Sequence, residues 1–370
     1  MSTINDLPNE VLSKIFSLLY YSDKYECLLV NRRFYSVAVL ELWESIAIYG
    51  YENDKTARCL GLSRIRIGER VKRLRLGYGP DRHQIIPILL YLPNLEEIEL
   101  FNIPNLIDQD VLQIPKYCKH LESLKLSKLE ISNRSLLSFD QCHLLKRLYF
   151  NGCRYMTSDA LNSFIGLPIE SLTIHTCCWT RFTKAALHIR SFSNLIQLDV
   201  ESHVDNLAEF LRIITVDDAD MPYLPRLQYL SMKSGRSQYM ESESPQDDLD
   251  TAIISFLKTH PRIHYLKLRM NYTSNIVVDA IIEYLPDLEA FIVCKPYSTS
   301  VRPQISMSAK SVCKIIYHCP KLLYVEIHRT QHTKYDFPEV HHRVRYNDLI
   351  LRHNDLKRIR ANRHTNIINN

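Results

Sequence analysis

The sequence predicts an α/β protein in which a short helical module at the N-terminus precedes a long repeat solenoid. Two observations predict this fold class. Apolar residues recur at helical spacing in the segment that ends at Trp43, and beyond it a motif of the form apolar-x-x-apolar-x-apolar returns many times. Prolines and helix-like stretches separate the copies, as expected when every repeat contributes one strand and one helix.

Residues 7–43 predict the helical module. Pro8 suits the first position of a helix, where its missing N–H would be unpaired in any case. An amphipathic stripe follows, made of Val11, Leu12, Ile15, Phe16 and Leu19. A second apolar run covers residues 27–30, and the module ends at Trp43. Segments this small rarely close a core of their own, so part of this apolar surface must meet another surface.

The order of these residues resembles the F-box, the adaptor-binding module of SCF-type ubiquitin ligases. The resemblance rests on Leu7-Pro8, Glu10-Val11-Leu12, Ile15-Phe16, Leu19, Leu28-Leu29-Val30, Arg32-Arg33-Phe34 and Leu42-Trp43. It implies three helices that dock on a Skp-family adaptor and, through it, on cullin and RING subunits. The adaptor-binding candidates are Leu7, Pro8, Ile15, Phe16, Leu19, Leu28, Val30, Phe34 and Trp43. The alternative for Leu7, Pro8, Ile15, Phe16, Leu28, Val30 and Trp43 is a place in the module's own small core. Leu7-Pro8 and Ile15-Phe16 are the pairs expected to touch the adaptor directly. The alternative interpretation is an ordinary helical cap on a larger domain.

The repeat motif predicts the rest of the chain. Its copies begin at Val71, Leu95, Leu121, Leu145, Ile169, Leu195, Leu227, Ile263, Leu288, Leu322 and, in a weaker form, Leu356. The first six copies start 24 to 26 residues apart, and longer intervals later in the chain indicate insertions. In several copies a proline stands two residues before the motif, which marks a helix end that leads into a strand.

One repeat cannot fold alone, because its few apolar side chains do not offset the entropy of ordering its backbone. Stacked repeats share their apolar faces and form one cooperative array. The copies resemble the long, helix-bearing leucine-rich repeats of the ribonuclease-inhibitor type, and residues 148–161 match the cysteine-containing subclass. This resemblance implies a curved parallel sheet on the concave face and helices on the convex face. The predicted domains are an F-box over 1–48, a helical connector and N-terminal cap over 49–70, about eleven repeats over 71–361 and a disordered tail over 362–370.

Alternation along each predicted strand places the residues between the apolar positions on the concave face. Tyrosine and arginine often anchor protein interfaces, so this face is the predicted target-binding surface. Its candidate residues are Arg147, Tyr149, His175, Asp199, Tyr229, Tyr265, Lys267, Arg269 and Tyr324. The alternative is a solvated sheet face of mixed charge.

Enzymatic motifs are absent from the sequence. Its 8 glycines form neither a phosphate-binding loop nor a nucleophile elbow. Cys177-Cys178 and the group Cys313, His318 and Cys319 lack the paired spacing of zinc ligands. We therefore expect no catalytic site, no metal and no cofactor. Most of the 10 cysteines are expected to serve as small buried apolar residues.

Composition and charge restrict the setting. The sequence contains neither a secretory pattern at its N-terminus nor an apolar run long enough to span a membrane, so a cytoplasmic or nuclear protein is expected. The net charge is +5, and residues 329–370 hold an excess of lysine and arginine. That excess fits either a solvated terminal cap or a nucleic-acid-associated tail.

Together, the two resemblances imply the substrate-recognition subunit of an SCF ubiquitin ligase, without catalysis of its own and with an unidentified protein as its target. A scaffold without a role in ubiquitination, or a basic-tailed repeat protein associated with nucleic acid, are the alternatives.

Overall fold

The computed structural model describes most of the chain. The described residues are 4–49, 67–78, 82–177, 182–202, 207–215, 221–234, 246–269, 274–294, 307–328, 335–345 and 348–367. The chain divides into two compact units, Met1–Tyr155 and Met156–Asn370. Among the described residues no helix combines the length and the apolar character needed to cross a membrane.

The first unit opens with helices. A 3-10 turn at Ile4–Asp6 leads to α1 (Asn9–Ser17), α2 (Tyr21–Val30) and α3 (Arg32–Trp43). Pro8 lies one position earlier than predicted, as the residue that caps α1 in extended geometry. Asn31 caps α3, because its side-chain oxygen accepts a hydrogen bond of 2.8 Å from the Phe34 N–H.

Five parallel strands form the sheet of the first unit. They are β1 (Ser45–Tyr49), β2 (Arg73–Gly77), β3 (Glu97–Phe101), β4 (Ser123–Ser127) and β5 (Arg147–Asn151). The connections contain α4 (Arg82–Leu89), α5 (Asp108–Leu112), α6 (Ile114–Tyr117) and 3-10 helices at Ile67–Arg70, Asn133–Leu136 and Phe139–Gln141. Corresponding motif positions of consecutive strands pair with one another, as expected of stacked repeats.

The sheet begins earlier than the predicted array. Strand β1 pairs with β2, with Ile46 opposite Leu74, although the first predicted repeat began at Val71. The residues Trp43–Ile48 read WESIAI, which is the repeat motif with tryptophan in the place of its first leucine. Residues 50–66, most of the predicted connector, lie outside the described part. The rest of the connector is Tyr49, which ends β1, and the 3-10 turn at Ile67–Arg70.

The second unit continues the same pattern. Its parallel strands are β6 (Ser171–His175), β7 (Gln197–Ser202), β8 (Tyr229–Ser234), β9 (Tyr265–Arg269), β10 (Ala290–Cys294) and β11 (Tyr324–Ile327). The helices are a 3-10 helix at Ser158–Phe164, α7 (Phe182–Ile189), α8 (Leu207–Thr215), α9 (Gln246–Thr259), α10 (Asn275–Tyr284) and α11 (Ala309–His318). The predicted alternation is confirmed: Leu266 and Leu268 are fully buried, and Lys267 between them is partly exposed.

Two local features complete the description of the second unit. Thr157 caps the 3-10 helix at Ser158–Phe164, because its hydroxyl accepts a hydrogen bond from the Asp159 N–H. Helix α9 begins at Gln246. Asp250 in that helix is buried.

The weak eleventh copy is a helix, not a strand. The motif at Leu356 lies in α12 (His353–Ile367), which also covers residues 362–367 of the predicted tail. Leu356 and Ile359 are fully buried. Two apolar residues three positions apart fit one face of a helix as well as they fit the first part of the repeat motif. The edge of β11 is covered instead by β13 (Asp348–Arg352), which pairs antiparallel with both β11 and β12 (Val344–Arg345) after a 3-10 helix at Pro338–Arg343.

Candidate protein-binding surfaces

The three N-terminal helices share a small core. Leu12 and Phe16 of α1 pack with Phe34, Val37 and Ala38 of α3. The rings of Phe16 and Phe34 meet edge to face with centroids 5.2 Å apart. Around this core lie the partly buried side chains of Leu7, Ile15, Leu19, Cys27 and Leu28.

The position of Phe16 and Phe34 corrects one expectation. Both were adaptor-binding candidates, but their side chains are 1% and 6% exposed and belong to the core. The reason is the helical spacing of Leu12 and Phe16, which places both on the inner face of α1. The remaining candidates reach the surface to different degrees: Pro8 and Val30 are exposed, while Leu7, Ile15, Leu19, Leu28 and Trp43 are partly buried.

A set of large apolar side chains on α2 and its flanking turn is exposed. Leu18 is 84% exposed, Tyr20 83%, Leu29 70% and Val30 60%. We call these four residues the apolar patch. Sequence reasoning selected only Val30 from it, because Leu18 and Tyr20 lie off the amphipathic stripe and exposure cannot be inferred from the motif. Leu18 and Tyr20 precede α2, and Leu29 and Val30 end it. Exposed large apolar side chains of this kind, at both ends of one helix, are compatible with an interaction site.

Arg33 of α3 fixes the chain segment that leads into α1. Its Nε donates to Asn9 Oδ1 at 2.8 Å, and its terminal nitrogens donate to the backbone oxygens of Asn5 and Leu7. Guanidinium is suited to this task, because its five donors have fixed directions. Arg33 therefore holds the predicted contact pair Leu7-Pro8 in place, a positioning role that the motif alone did not reveal.

In both units the first, third and fifth side chains of each strand form what we call the polar strand face. In the first unit it contains ion pairs between adjacent strands, such as Arg75 with Glu99 at 2.7 Å and Lys125 with Glu97 at 2.6 Å. The candidate Arg147 is half exposed and lies 3.8 Å from Glu122. Tyr149 is partly buried and accepts a hydrogen bond from Asn151 Nδ2 at 3.3 Å.

An aromatic depression that sequence reasoning missed lies at the end of β1, β2 and β3. Tyr49, Tyr78 and Phe101 line it together with the Arg75–Glu99 pair, and its volume is about 330 Å³. The rings of Tyr78 and Phe101 are 5.0 Å apart. Tyr49 belongs to the strand that the predicted array omitted, so this grouping could not be inferred.

In the second unit, tyrosines occupy the first position of strands β8, β9 and β11 on the polar strand face. The register places Tyr229 opposite Tyr265, and their rings stack with centroids 4.1 Å apart and an interplanar angle of 13°. Burial raises the pKa of both phenols, so they are neutral donors at physiological pH. The sequence predicted both residues for this face, and their direct stacking follows from the register.

The third and fifth positions of the strands in the second unit carry paired charges. His175 Nε2 lies 3.2 Å from Asp199 Oδ1. Burial by itself would raise the pKa of Asp199, but hydrogen bonds from His175 and Ser231 and the charge of Lys267 hold that pKa below its usual range. Asp199 therefore stays ionised, and a negative charge persists at the centre of this face. Arg269 ends β9, and its side chain lies outside the described residues.

The last strands, β10, β11 and β13, bring together residues that lie far apart in the sequence. Tyr324 donates to Glu326 Oε2 at 2.7 Å, and Glu326 Oε1 contacts His328 Nε2. His328 Nδ1 is 3.1 Å from Asp348 Oδ2, and the buried Cys294 lies on the neighbouring strand. Of this group only Tyr324 was among the candidate binding residues. The approach of Cys294 and Asp348 could not be inferred from spacing, because three separate strands supply the members of the group.

Part of the C-terminal basic excess is used inside the fold. Arg360 of α12 donates from Nε to the Ile316 oxygen at 2.9 Å and from a terminal nitrogen to the Cys319 oxygen at 2.9 Å. Arg343 Nε lies 3.0 Å from Asp355 Oδ2 but is not aligned for a hydrogen bond, so this contact is an ion pair. These contacts favour the terminal-cap interpretation of the basic excess over a nucleic-acid tail.

Comparisons with known proteins agree with the N-terminal resemblance. Residues 4–49 match the family model described as F-box-like. Similar solved structures include a leucine-rich-repeat protein of Leptospira interrogans, at 15% identity and a TM-score of 0.36 over 82% of this chain and 81% of that one. A Bacteroides fragilis protein matches at 13% identity and a TM-score of 0.35, over 80% of this chain and 71% of that one. The structure of the yeast Rad7 and Elc1 complex matches at 13% identity and a TM-score of 0.35, over 80% of this chain and 91% of that one.

The family match and the observed repeats are the basis of the assignment, because each parallel strand from β2 to β11 contains one copy of the leucine-rich motif. The chain therefore contains an F-box-like domain at residues 4–49, followed by leucine-rich repeats that each contribute one parallel strand.

Proposed function

We propose that this protein is the substrate-recognition subunit of an SCF-type ubiquitin ligase. In this proposal the F-box-like domain docks on a Skp-family adaptor that is bound to cullin and RING subunits, and the polar strand face binds a target protein. The chain performs no chemistry itself. It raises the effective concentration of target lysines near the conjugating enzyme, which is catalysis by proximity.

The observation that carries the adaptor half of the proposal is the apolar patch. The core of the three helices is already filled by Leu12, Phe16, Phe34, Val37 and Ala38, so the patch is surplus to the folding of the domain. Burying such side chains in an interface stabilises it by roughly 1.5–3 kcal/mol each. A helical adaptor with an apolar groove is a suitable occupant.

Binding of the purified full chain to a purified Skp-family adaptor tests this half. Leu18→Glu and Leu29→Glu each place a charge where apolar contact is expected, and we expect affinity to fall at least tenfold, which corresponds to about 1.4 kcal/mol. Leu137→Glu is the matched control, since Leu137 is 65% exposed and lies outside the helices. Isothermal titration calorimetry gives the dissociation constants.

Undiminished adaptor binding by both patch variants would contradict the assignment of the patch. Absence of adaptor binding by the unaltered chain would contradict the receptor proposal as a whole. If the adaptor binds but the abundance of the target in cells does not change on proteasome inhibition, the scaffold alternative is favoured instead.

The target half rests on the chemistry of the second unit's polar strand face. Stacked tyrosines with neutral hydroxyls stand beside an ionised Asp199, and this mixture of rigid aromatic surface with fixed charge is typical of interface hot spots. The face fits a protein segment that presents a basic or hydrogen-bonding group to Asp199.

Crosslinking followed by mass spectrometry in cells tests the target half. We expect Tyr229→Ala and Tyr265→Ala to lose the captured targets while they retain the adaptor. Tyr155→Ala serves as the control, because Tyr155 is 63% exposed and does not belong to that face. Targets retained by both Tyr229→Ala and Tyr265→Ala would place target binding elsewhere on the chain.

A further inference from the structure

Three side chains with different ligand atoms meet at the end of strands β10 and β11. Val293 pairs with Ile327, so Cys294 and His328 follow as neighbours on adjacent strands, and Glu326 precedes His328 on the same face. The Cys294 sulfur, a Glu326 carboxylate oxygen and a His328 ring nitrogen all lie within 4.8 Å of one another. Small rotations of side chains therefore suffice to place the three atoms around a single ion.

Asp348 supplies the feature that separates this cluster from a chance group of polar residues. Strand β13 runs antiparallel to β11 and brings Asp348 Oδ2 to 3.1 Å from His328 Nδ1. A histidine that binds a metal commonly donates its other ring N–H to a carboxylate, which orients the ring and leaves the second nitrogen as the ligand. Here that second nitrogen is Nε2, the atom that faces Glu326.

The environment also suits a buried ion. Cys294 is 7% exposed, and the side chains of Glu326 and His328 are 20% and 32% exposed, so the cluster is sheltered but open on one side. Glu326 is held from its other oxygen by the Tyr324 hydroxyl at 2.7 Å. Two carboxylates and a thiol around one imidazole make a region in which a divalent cation is electrostatically favoured.

The donor set indicates which metal. Calcium and magnesium prefer oxygen ligands, whereas thiolate, imidazole and carboxylate together are typical of zinc. We propose that Cys294, Glu326 and His328 bind a zinc ion and that Asp348 orients His328. Three protein ligands leave a fourth position for water or for a group from a bound partner. The site lies on the polar strand face. Zinc binding at this site does not require the adaptor to be bound.

Cobalt is a spectroscopic probe for this site. The purified full chain, treated with a chelator and then dialysed, is titrated with Co²⁺ and afterwards with Zn²⁺. We expect one Co²⁺ per chain, a thiolate-to-cobalt charge-transfer band in the near ultraviolet, and loss of that band when Zn²⁺ displaces the cobalt. We also expect Zn²⁺ to raise the midpoint of thermal unfolding, because it binds the folded state.

Four variants separate ligand roles from general damage. Cys294→Ser removes the charge-transfer band and weakens binding at least tenfold, and His328→Gln weakens it to a similar degree. Asp348→Asn keeps the band but weakens binding about 10- to 100-fold, as expected of a residue that acts through a ligand. Cys313→Ser is the control, since Cys313 is 8% exposed and is not part of the cluster.

Circular dichroism confirms that every variant is folded before titration. The proposal is overturned if the unaltered chain shows no cobalt band at micromolar concentration, or if Cys294→Ser or His328→Gln binds Co²⁺ as tightly as the unaltered chain. Adaptor binding is measured on the same samples. Loss of metal binding with adaptor binding intact separates failure of this site from failure of the receptor proposal.

Discussion

Single residues in this protein have environments that their sequence neighbours do not indicate. His260 is the clearest example. It is 3% exposed, its ring stacks on Phe256 at 4.0 Å, and its Nδ1 lies 2.9 Å from the Phe256 backbone oxygen. Within the part of the chain that the structure describes, Nε2 has no hydrogen-bond partner. Burial lowers the pKa of this histidine to about 4.

This environment predicts acid sensitivity. The folded state keeps His260 neutral, while the unfolded chain takes up the proton near its ordinary pKa of 6.5. The unfolded state therefore binds more protons between pH 6.5 and about 4, so the free energy of unfolding falls by roughly 3 kcal/mol as pH drops through that window. Urea unfolding at a series of pH values measures the slope, and His260→Phe should remove this contribution.

The control for that prediction is His342→Phe, at an exposed histidine. The pH dependence of unfolding of His260→Phe is compared with that of this variant. An identical pH dependence in His260→Phe and the unaltered chain would show that His260 does not carry the effect.

A second residue-scale prediction concerns the F-box-like domain. Phe16→Ala removes a fully buried ring and leaves a cavity against Phe34, so we expect a loss of roughly 3–5 kcal/mol in the stability of the domain. Leu18→Ala, two residues away at 84% exposure, should change stability by less than about 0.5 kcal/mol. Thermal unfolding of both variants measures the difference, and similar midpoints would contradict the observed core.

Whole elements show where the repeat pattern was sufficient and where it was not. Motif copies with two alternating buried leucines became strands, as at Leu124 and Leu126. The copy at Leu356 became helix α12, since only its i, i+3 pair is apolar and Asp355 accepts a hydrogen bond from the Arg352 N–H at 3.0 Å at the start of the helix. The N-terminal copy at Trp43 was missed because Trp43 was assigned to the end of the helical module.

Helix α12 predicts a measurable role for Arg360. Its guanidinium binds backbone oxygens at and beyond the C-terminal end of α11, where a helix has unpaired carbonyls and a partial negative charge. Arg360→Ala should cost about 1.5–3 kcal/mol, the range for hydrogen bonds from a charged donor. Arg358→Ala, at an exposed position of the same helix, should leave the free energy of unfolding almost unchanged.

Chemical denaturation followed by circular dichroism compares the two arginine variants. Equal midpoints would show that the observed contacts of Arg360 do not stabilise the C-terminal end of the sheet.

At the scale of the whole molecule, the buried thiols report on both units. Burial raises the pKa of Cys118 to about 12 and of Cys142 to about 11 in the first unit, and of Cys319 to about 11 in the second. Thiolate is the reactive form, so these residues combine low access with low reactivity. This agrees with the sequence-based expectation that the cysteines serve as small buried apolar residues.

Thiol labelling at about pH 8 should therefore follow unfolding. Among the eight cysteines that the structure describes, we expect the partly exposed Cys27 to react first and Cys118, Cys142 and Cys319 to react only as their units open, with peptide mass spectrometry assigning each site. Labelling in concentrated urea gives the rate for the unfolded chain. Rapid modification of Cys118 in the native protein would contradict its burial.

The sequence by itself determined the classes of structure in this protein, because they depend on local periodicity. Helical spacing in the first segment, alternation in the repeats and the prolines before the strands are all properties of neighbouring residues. The F-box resemblance and the identity of the polar strand face followed from them. Only the tertiary structure decided which candidates are accessible and which meet, since Phe16 is core while Leu18 is surface, and Cys294, Glu326, His328 and Asp348 converge from three strands. Register between repeats of unequal length sets those distances, and register depends on the packing of the whole array.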